Sequence, residues 1–216
     1  MKKGKKILLT LGIILITLIF IFCAMWIERD KTNNIHDYNK YFGENSIYRE
    51  EYNRCFGYDL GNNSENSTKI LPTDIFPKSI PNSAKIEDFC YYYYNPFDPN
   101  YTVYLVYTCS DEDFIKETER LSKIDSSKKY LIYGATGFNY PIEAIYANEN
   151  GYIYCLADKE TKKLIYVGIN FCDYFSDINY KKIINKKYLP INFDATRNNK
   201  TQKKNHQENI DKQQNA

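Results

Sequence analysis

Apolar residues are concentrated in one long block near the N-terminus and then recur in short alternating runs. Residues 7–27 (ILLTLGIILITLIFIFCAMWI) contain no charged side chain, and four lysines stand directly before them: Lys2, Lys3, Lys5 and Lys6. At about 1.5 Å of rise per residue, a helix of this length reaches roughly 32 Å, which matches the hydrocarbon thickness of a bilayer. The block therefore predicts a transmembrane helix.

The charges on either side of this block predict its orientation. Lysines precede it, whereas the four charges that follow, from Glu28 to Lys31, cancel. Because lysine-rich flanks stay in the cytoplasm, residues 1–6 are expected to be a cytoplasmic basic tail and residues 7–27 a single membrane span. The expected localisation is the cell membrane, with the bilayer as partner of residues 7–27 and an extracellular C-terminal domain.

Two other roles for the block stay open. A cleaved signal peptide needs a shorter apolar core and a small-residue cleavage site. A lipoprotein would use Cys23 as the lipidated residue, after a small residue. Bulky Phe22 stands directly before Cys23. The sequence therefore favours an uncleaved signal-anchor over both alternatives.

Downstream, short runs with strand-like alternation predict a sheet. The runs at 84–94 and 101–109 are rich in aromatic and β-branched residues, and the turn-forming residues 95–100 separate them, so we expect a hairpin. Three more strands are expected, of which the last two form a second hairpin, at 140–147, 152–157 and 163–169.

One main helix is expected between the two hairpins. Ser110 can cap its first turn, and the three acidic residues that follow suit the positive end of the helix dipole. Phe114, Thr118 and Leu121 share a face, so the helix should continue to about residue 124. A short basic helix is suggested at 178–189. This order of elements predicts an α+β domain, an antiparallel sheet of four to five strands with one main helix on a face.

Polar stretches predict the domain boundaries. Residues 28–69 are typical of a stalk, with a short helix and a loop. Three prolines within 71–81 favour an extended segment laid against the exterior domain, which is expected to span 70–190. Residues 195–216 are rich in Asn, Gln and Lys without an apolar pattern, which predicts a disordered basic tail.

Charge divides the chain and bears on its partners. Residues 28–177 carry 16 basic and 24 acidic side chains, a net charge of −8, whereas residues 178–216 carry 9 and 3, a net charge of +6. An acidic body disfavours nucleic acid as a partner. The basic end suits anionic lipid or an anionic envelope polymer, although a solvated tail is the simpler interpretation.

Residues for catalysis or metal binding are scarce. The chain has two histidines, no C-x-x-C motif, no G-x-S-x-G motif and no phosphate-binding glycine loop. No catalytic, cofactor-binding or metal-binding residue is therefore assigned, and no cofactor is expected. The cysteines outside the anchor are too widely spaced for a disulfide pairing to be deduced: Cys55, Cys90, Cys109, Cys155 and Cys172. Those at 90, 109 and 155 lie in strand-like runs and suit small buried thiols.

Two features of the expected strands leave room for function. Glu87, Asp88 and Glu143 are the candidates for a carboxylate-based hydrolase, although alternation puts Glu87 and Asp88 on opposite faces. The tyrosine run at 91–94 also alternates, so one pair should pack against the helix. The other pair is either half-buried sheet tyrosine or, with Tyr104, an exposed aromatic shelf for sugar or peptide.

The lysine-flanked block at 7–27, the proline-rich 71–81 and the strand at 86–94 together resemble the layout of uncharacterised single-anchor extracytoplasmic proteins of AT-rich Gram-positive bacteria. The resemblance is one of architecture and implies no activity and no site residues. The expected function is therefore a membrane-anchored, non-enzymatic domain that binds an envelope protein or an anionic polymer. The alternative is the carboxylate-based envelope hydrolase.

Overall fold

In the part of the chain that the structure describes, six antiparallel strands form one sheet, in the order β1-β2-β3-β6-β5-β4. The structure is a computed structural model that describes residues 10, 12–19, 28–55, 71–95, 99–124, 131–148, 150–170 and 178–194. The strands are β1 (Glu28–Thr32), β2 (Lys85–Asn95), β3 (Asn100–Thr108), β4 (Ile142–Asn148), β5 (Gly151–Asp158) and β6 (Lys163–Asn170). The expected α+β class, antiparallel sheet and two hairpins are confirmed, with one strand more than predicted.

Short helices surround this sheet. They are α1 (Tyr38–Phe42), α2 (Ile47–Cys55), α3 (Asp111–Ser122) and α4 (Tyr180–Ile183), with 3-10 turns at Ile35–Asp37, Pro72–Ile75 and Lys186–Tyr188. The main helix, α3, begins as expected, because the Ser110 hydroxyl accepts a hydrogen bond from the Asp113 N–H. Its buried residues, Phe114 and Leu121, face the sheet core.

Residues 28–55 of the segment expected to be a stalk belong to the fold, so the stalk prediction is wrong for them, although the short helix expected there is present at Ile47–Cys55. β1 pairs with β2 along its whole length and forms an edge of the sheet. Tyr38, Tyr41 and Phe42 of α1 are at most 2% exposed. Their i, i+3, i+4 spacing makes an apolar helix face within a stretch whose overall composition is polar. The loop expected at 61–69 lies outside the described residues.

Both faces of the sheet are covered. The first face carries α1, α2, the Pro72–Ile75 turn and α3, whereas the chain before β4 and the C-terminal residues 178–193 cover the second. β5 and β6 are buried along nearly their full length. Such two-sided burial explains why these strands show continuous apolar runs in place of a strict alternation.

Part of the expected anchor lies within the described residues. Positions 12–19 are helical, and their large apolar side chains are at least 50% exposed. No helix in the described part of the chain is long and apolar enough to cross a membrane. The remainder of residues 7–27, apart from position 10, lies outside the described residues, as do the tails expected at 1–6 and 195–216.

Candidate functional site

A groove of about 920 Å³ lies between α3 and residues 77–82, at the end of the proline-rich segment 71–81, and it is the candidate site. One wall is a stripe of α3 that includes Lys116, Arg120 and Lys123, which are three to four positions apart and therefore share a helix face. Segment 77–82 forms the other wall, and Tyr107 of β3 contributes from the sheet. The groove thus combines an irregular backbone wall with a wall of long charged side chains.

Arg49 of α2 holds the start of the proline-rich segment. Its guanidinium donates to the carbonyls of Phe42 and Thr73, both at 2.6 Å, and lies 3.5 Å from a carboxylate oxygen of Asp74. The Arg49 side chain is only 8% exposed, and burial lowers its pKa from the usual value. Asn53 accepts a hydrogen bond from the Thr73 N–H at 3.1 Å. The start of this segment is therefore held by side chains of α2 and not by pairing with a strand.

Arg120 clasps the same segment from α3. It donates to the carbonyls of Asp74 at 2.5 Å and Ile75 at 2.9 Å, and to both carboxylate oxygens of Glu117 at 2.8 and 2.6 Å. Tyr166 of β6 donates to the same carboxylate at 2.7 Å. Most of the hydrogen-bonding capacity of Glu117 and Arg120 is thus used inside the protein. The pair joins helix, sheet and proline-rich segment at the base of the groove.

Burial and the Glu117–Arg120 ion pair together determine which groups beneath the groove are charged. It raises the pKa of Tyr107 and Tyr166, whose hydroxyl oxygens lie 3.3 Å apart. Burial lowers the pKa of Arg120, but the hydrogen bond to Glu117 and its charge outweigh that effect and raise the pKa overall. Both phenols therefore stay neutral and Arg120 stays charged at neutral pH.

The mouth of the groove carries charges of both signs. Asp113 accepts hydrogen bonds from the hydroxyls of Ser83 at 2.5 Å and Ser110 at 3.2 Å, so its carboxylate is occupied. Lys116 and Lys123 are exposed, and neither has an ion-pair partner among the residues that the structure describes. These two lysines outnumber the one exposed glutamate of this stripe, at position 119. Over the whole lining, four basic and four acidic side chains balance, so the groove lacks the net negative charge of residues 28–177.

The three carboxylates considered for a hydrolase are not brought together. Glu87 forms an ion pair with Lys163 at 2.8 Å, and Asp88 accepts a hydrogen bond from the Tyr104 hydroxyl, whereas Glu143 lies on β4 at the far edge of the sheet. Four strand spacings separate β2 from β4, or about 19 Å. The three carboxylates cannot act on one bond, and none of them lines the groove.

A β-bulge overturns the expectation that Glu87 and Asp88 point to opposite faces. The register of β2 on β3 shifts between Ile86 and Asp88. Ile86 and Phe89 both pack in the first core, which requires an extra residue between them. Both carboxylates therefore lie on the second face. Strict alternation, the only signal in the sequence, cannot predict a bulge.

The tyrosine run divides between the two faces as alternation predicts. The first and third tyrosines are buried on the first face, where Tyr91 stacks on Tyr41 of α1 with ring centroids 3.9 Å apart. Their helical neighbour is thus α1 and not the main helix that was expected. Tyr92 and Tyr94 are half-buried on the second face. Tyr104 is only 1% exposed, so it does not form a shelf with them.

Three cysteines in the described part of the chain are free thiols: Cys90, Cys109 and Cys155. Cys90 and Cys155 are buried, which confirms that they act as small core residues. Burial raises the pKa of all three thiols, to about 11 for Cys109. They are therefore protonated at neutral pH and poorly nucleophilic.

Within the described residues, no group of three His, Cys, Asp or Glu side chains is arranged to hold a metal ion. No protein-family model matches the chain, and comparisons with curated proteins and with solved structures found no similar protein. Function must therefore be argued from the groove.

The sequence predicted the helix and the proline-rich segment that form the two walls, but not that they pack against each other. Glu117 and Arg120 are three positions apart on a helix, a spacing typical of a solvated surface ion pair. Tyr107 has the pattern of an ordinary strand residue. Only the packing of α3 against the Pro72–Ile75 turn gives Arg120 its two carbonyl partners and makes a groove.

Proposed function

We propose that this protein is a non-enzymatic, membrane-anchored binding domain on the outer face of the cell membrane, and that the groove beside α3 binds an extended acidic segment of an envelope protein. The construction of the groove carries the proposal: a held proline-rich segment faces the exposed Lys116 and Lys123. An extended polypeptide with acidic side chains offers carboxylates to these two lysines.

Charge favours a polypeptide over a uniformly anionic polymer. Carboxylates of Asp74, Asp113 and Glu119 line the same groove as the lysines. A polymer with a negative charge at every repeat would meet these carboxylates, whereas a polypeptide places its acidic side chains only where the lysines lie. The carboxylate hydrolase is not proposed, because its three residues do not share a site.

The anchoring part of the proposal rests on the lysine-flanked block at 7–27 and on the exposed apolar side chains of its described helical positions. Alkaline carbonate extraction tests it directly. The full chain is expected to remain with the membrane pellet, and protease added outside intact cells is expected to remove the domain. Release of the chain by carbonate, or protection of the domain from external protease, would refute the proposed anchoring.

A photo-crosslinking amino acid at position 116 tests the groove in intact cells. We expect one major protein adduct, reduced several-fold when Lys123→Glu reverses the neighbouring charge. The matched control places the same amino acid at Lys159, an exposed lysine of the β5–β6 hairpin. Absence of a protein adduct at position 116, or the same adduct at both positions, would remove the groove as the binding site.

A further inference from the structure

The sheet edge that follows the apolar block carries its cations on one face. In β1, Arg29 and Lys31 lie on the opposite face from Asp30, because side chains alternate along a strand. Asp30 points toward α1, where it accepts a hydrogen bond from Tyr41 and lies 3.6 Å from the Lys40 ammonium. Charges that cancel in the sequence are therefore separated in space.

Both cations lie over tyrosine rings of β2. The register pairs Arg29 with Tyr94 and Lys31 with Tyr92. The guanidinium carbon and the ammonium nitrogen lie 4.7 and 5.5 Å from the respective ring centroids, a cation–π geometry. The cations are exposed and the rings are half-buried. These four side chains, named here the β1–β2 patch, have the composition favoured at the headgroup level of a membrane.

The chain between the apolar block and this patch contains no linker. The block ends at Ile27, and β1 begins at Glu28. With about 3.3 Å of rise per strand residue, Arg29 lies at most about 7 Å from Ile27 and Lys31 at most about 13 Å. The polar layer on each side of a bilayer is about 5–8 Å thick. Arg29 is therefore within this layer, and Lys31 is within reach of it.

We infer that the β1–β2 patch lies against the outer leaflet and binds the phosphates of anionic lipid headgroups, an inference that rests on the proposed membrane anchor. Net negative charge on the body would otherwise repel an anionic surface. The two cations of the patch oppose this repulsion locally and determine which edge of the sheet meets the membrane.

This contact also orients the groove. The patch lies on the second face of the sheet, at the ends of the strands where β1 starts and β2 finishes. The groove lies on the first face, beside the residues that precede the start of β2 and near Tyr107 at the end of β3. It differs from the patch in both face and strand end, so it opens away from the bilayer toward partners in the envelope.

Photoactivatable headgroup lipids test the inference on the full chain in nanodiscs of phosphatidylcholine with phosphatidylglycerol. We expect lipid adducts on the peptides that contain the β1–β2 patch. The double substitution Arg29→Glu with Lys31→Glu should lower adduct yield by about 25-fold, since each of the two cations near an anionic surface contributes about fivefold. The control Lys159→Glu, at the opposite end of the sheet, should change nothing.

A second measurement needs no substitution. Nanodiscs of phosphatidylcholine alone should give the wild-type chain the same loss of adducts as the double variant, which covers the case in which that variant misfolds. Equal adduct yields on the patch and on the β5–β6 hairpin, or no dependence on phosphatidylglycerol, would overturn the inference. Failure of the chain to enter nanodiscs would refute the anchor, and with it the contact. Entry without patch adducts would refute the lipid contact alone.

Discussion

At the scale of single residues, Gly168 of β6 leaves room for the Val103 side chain on the neighbouring strand β3. A Cβ at this position of β6 would lie 2.7 Å from Cγ1 of Val103 and 3.6 Å from Cε2 of Phe76. Phe76 follows the Pro72–Ile75 turn and is fully buried. The distance to Phe76 is an ordinary van der Waals contact, so the crowding comes from Val103.

Gly168→Ala is therefore expected to destabilise the fold by about 1–3 kcal/mol, the usual cost of overpacking a core. Urea unfolding of the full chain in detergent measures the change. Adding Val103→Ala should compensate in part, because the smaller side chain vacates the space that the new methyl group needs. Unchanged stability of the single variant would mean that the strand shifts without strain.

Glu117 joins α3 to the sheet, because its carboxylate accepts a hydrogen bond from Tyr166 of β6. Its negative charge is the second feature that a substitution can test. Glu117→Gln removes the charge that pairs with Arg120 and weakens the acceptor for Tyr166. We expect a loss of about 1–3 kcal/mol in the free energy of unfolding, as for other hydrogen bonds to charged groups. Glu119→Gln, at an exposed position of the same helix, is the control and should stay within about 0.5 kcal/mol of wild type.

At the scale of elements, the proline-rich segment depends on α2. Arg49→Lys keeps the charge but removes the planar fork that reaches the carbonyls of Phe42 and Thr73 together. We expect a loss of about 1.5–3 kcal/mol, because a buried carbonyl loses a charged donor. The same substitution at exposed Arg54 of α2 should be nearly neutral. Thermal unfolding of both variants gives the comparison. Equal midpoints would contradict the proposed role of Arg49 in holding the proline-rich segment.

Two elements show what sequence patterns miss. β1 is made of alternating charged residues, ERDKT, and only its pairing with β2 makes it a strand. α1 is five residues long, too short to be stable without tertiary contacts, and Tyr41 is fixed by its stack on Tyr91. Both lie in the stretch predicted as a stalk, because local composition carries no information on these distant partners.

At the scale of the whole molecule, the abundance of buried tyrosine sets an alkaline limit on stability. Burial raises the pKa of tyrosines across both cores, among them Tyr38, Tyr91, Tyr104, Tyr107, Tyr154 and Tyr166. In an unfolded chain, tyrosine titrates near pH 10. As the pH rises above that value, the unfolded state loses protons first, so the stability present below about pH 10 is lost above it.

The expected result is a constant urea midpoint from neutral pH to about pH 8, a gradual fall above that as the three buried thiols begin to titrate in the unfolded chain, and a steep fall above about pH 10. Tyrosinate absorbance in the ultraviolet should rise together with the loss of folded circular dichroism. A gradual rise in absorbance while the fold persists would show that these phenols reach water in the native state.

The groove and the β1–β2 patch lie on opposite faces of the sheet. In the proposed orientation, the β1–β2 patch with its cations over tyrosine rings faces the membrane, and the groove with its lysines on α3 faces outward.

The sequence by itself determined the class of the fold, the two hairpins and the main helix with its Ser110 cap, because each depends on contacts between residues near in the chain. Alternation likewise separated Tyr91 from Tyr92. The proline-rich segment was expected to be extended, whereas Pro72–Ile75 form a 3-10 turn. Tertiary structure alone decided the sixth strand, the bulge at Glu87 and the groove. Each of these depends on partners far along the chain: β2 for β1, β3 for the bulge, and the carbonyls of the Pro72–Ile75 turn for Arg120.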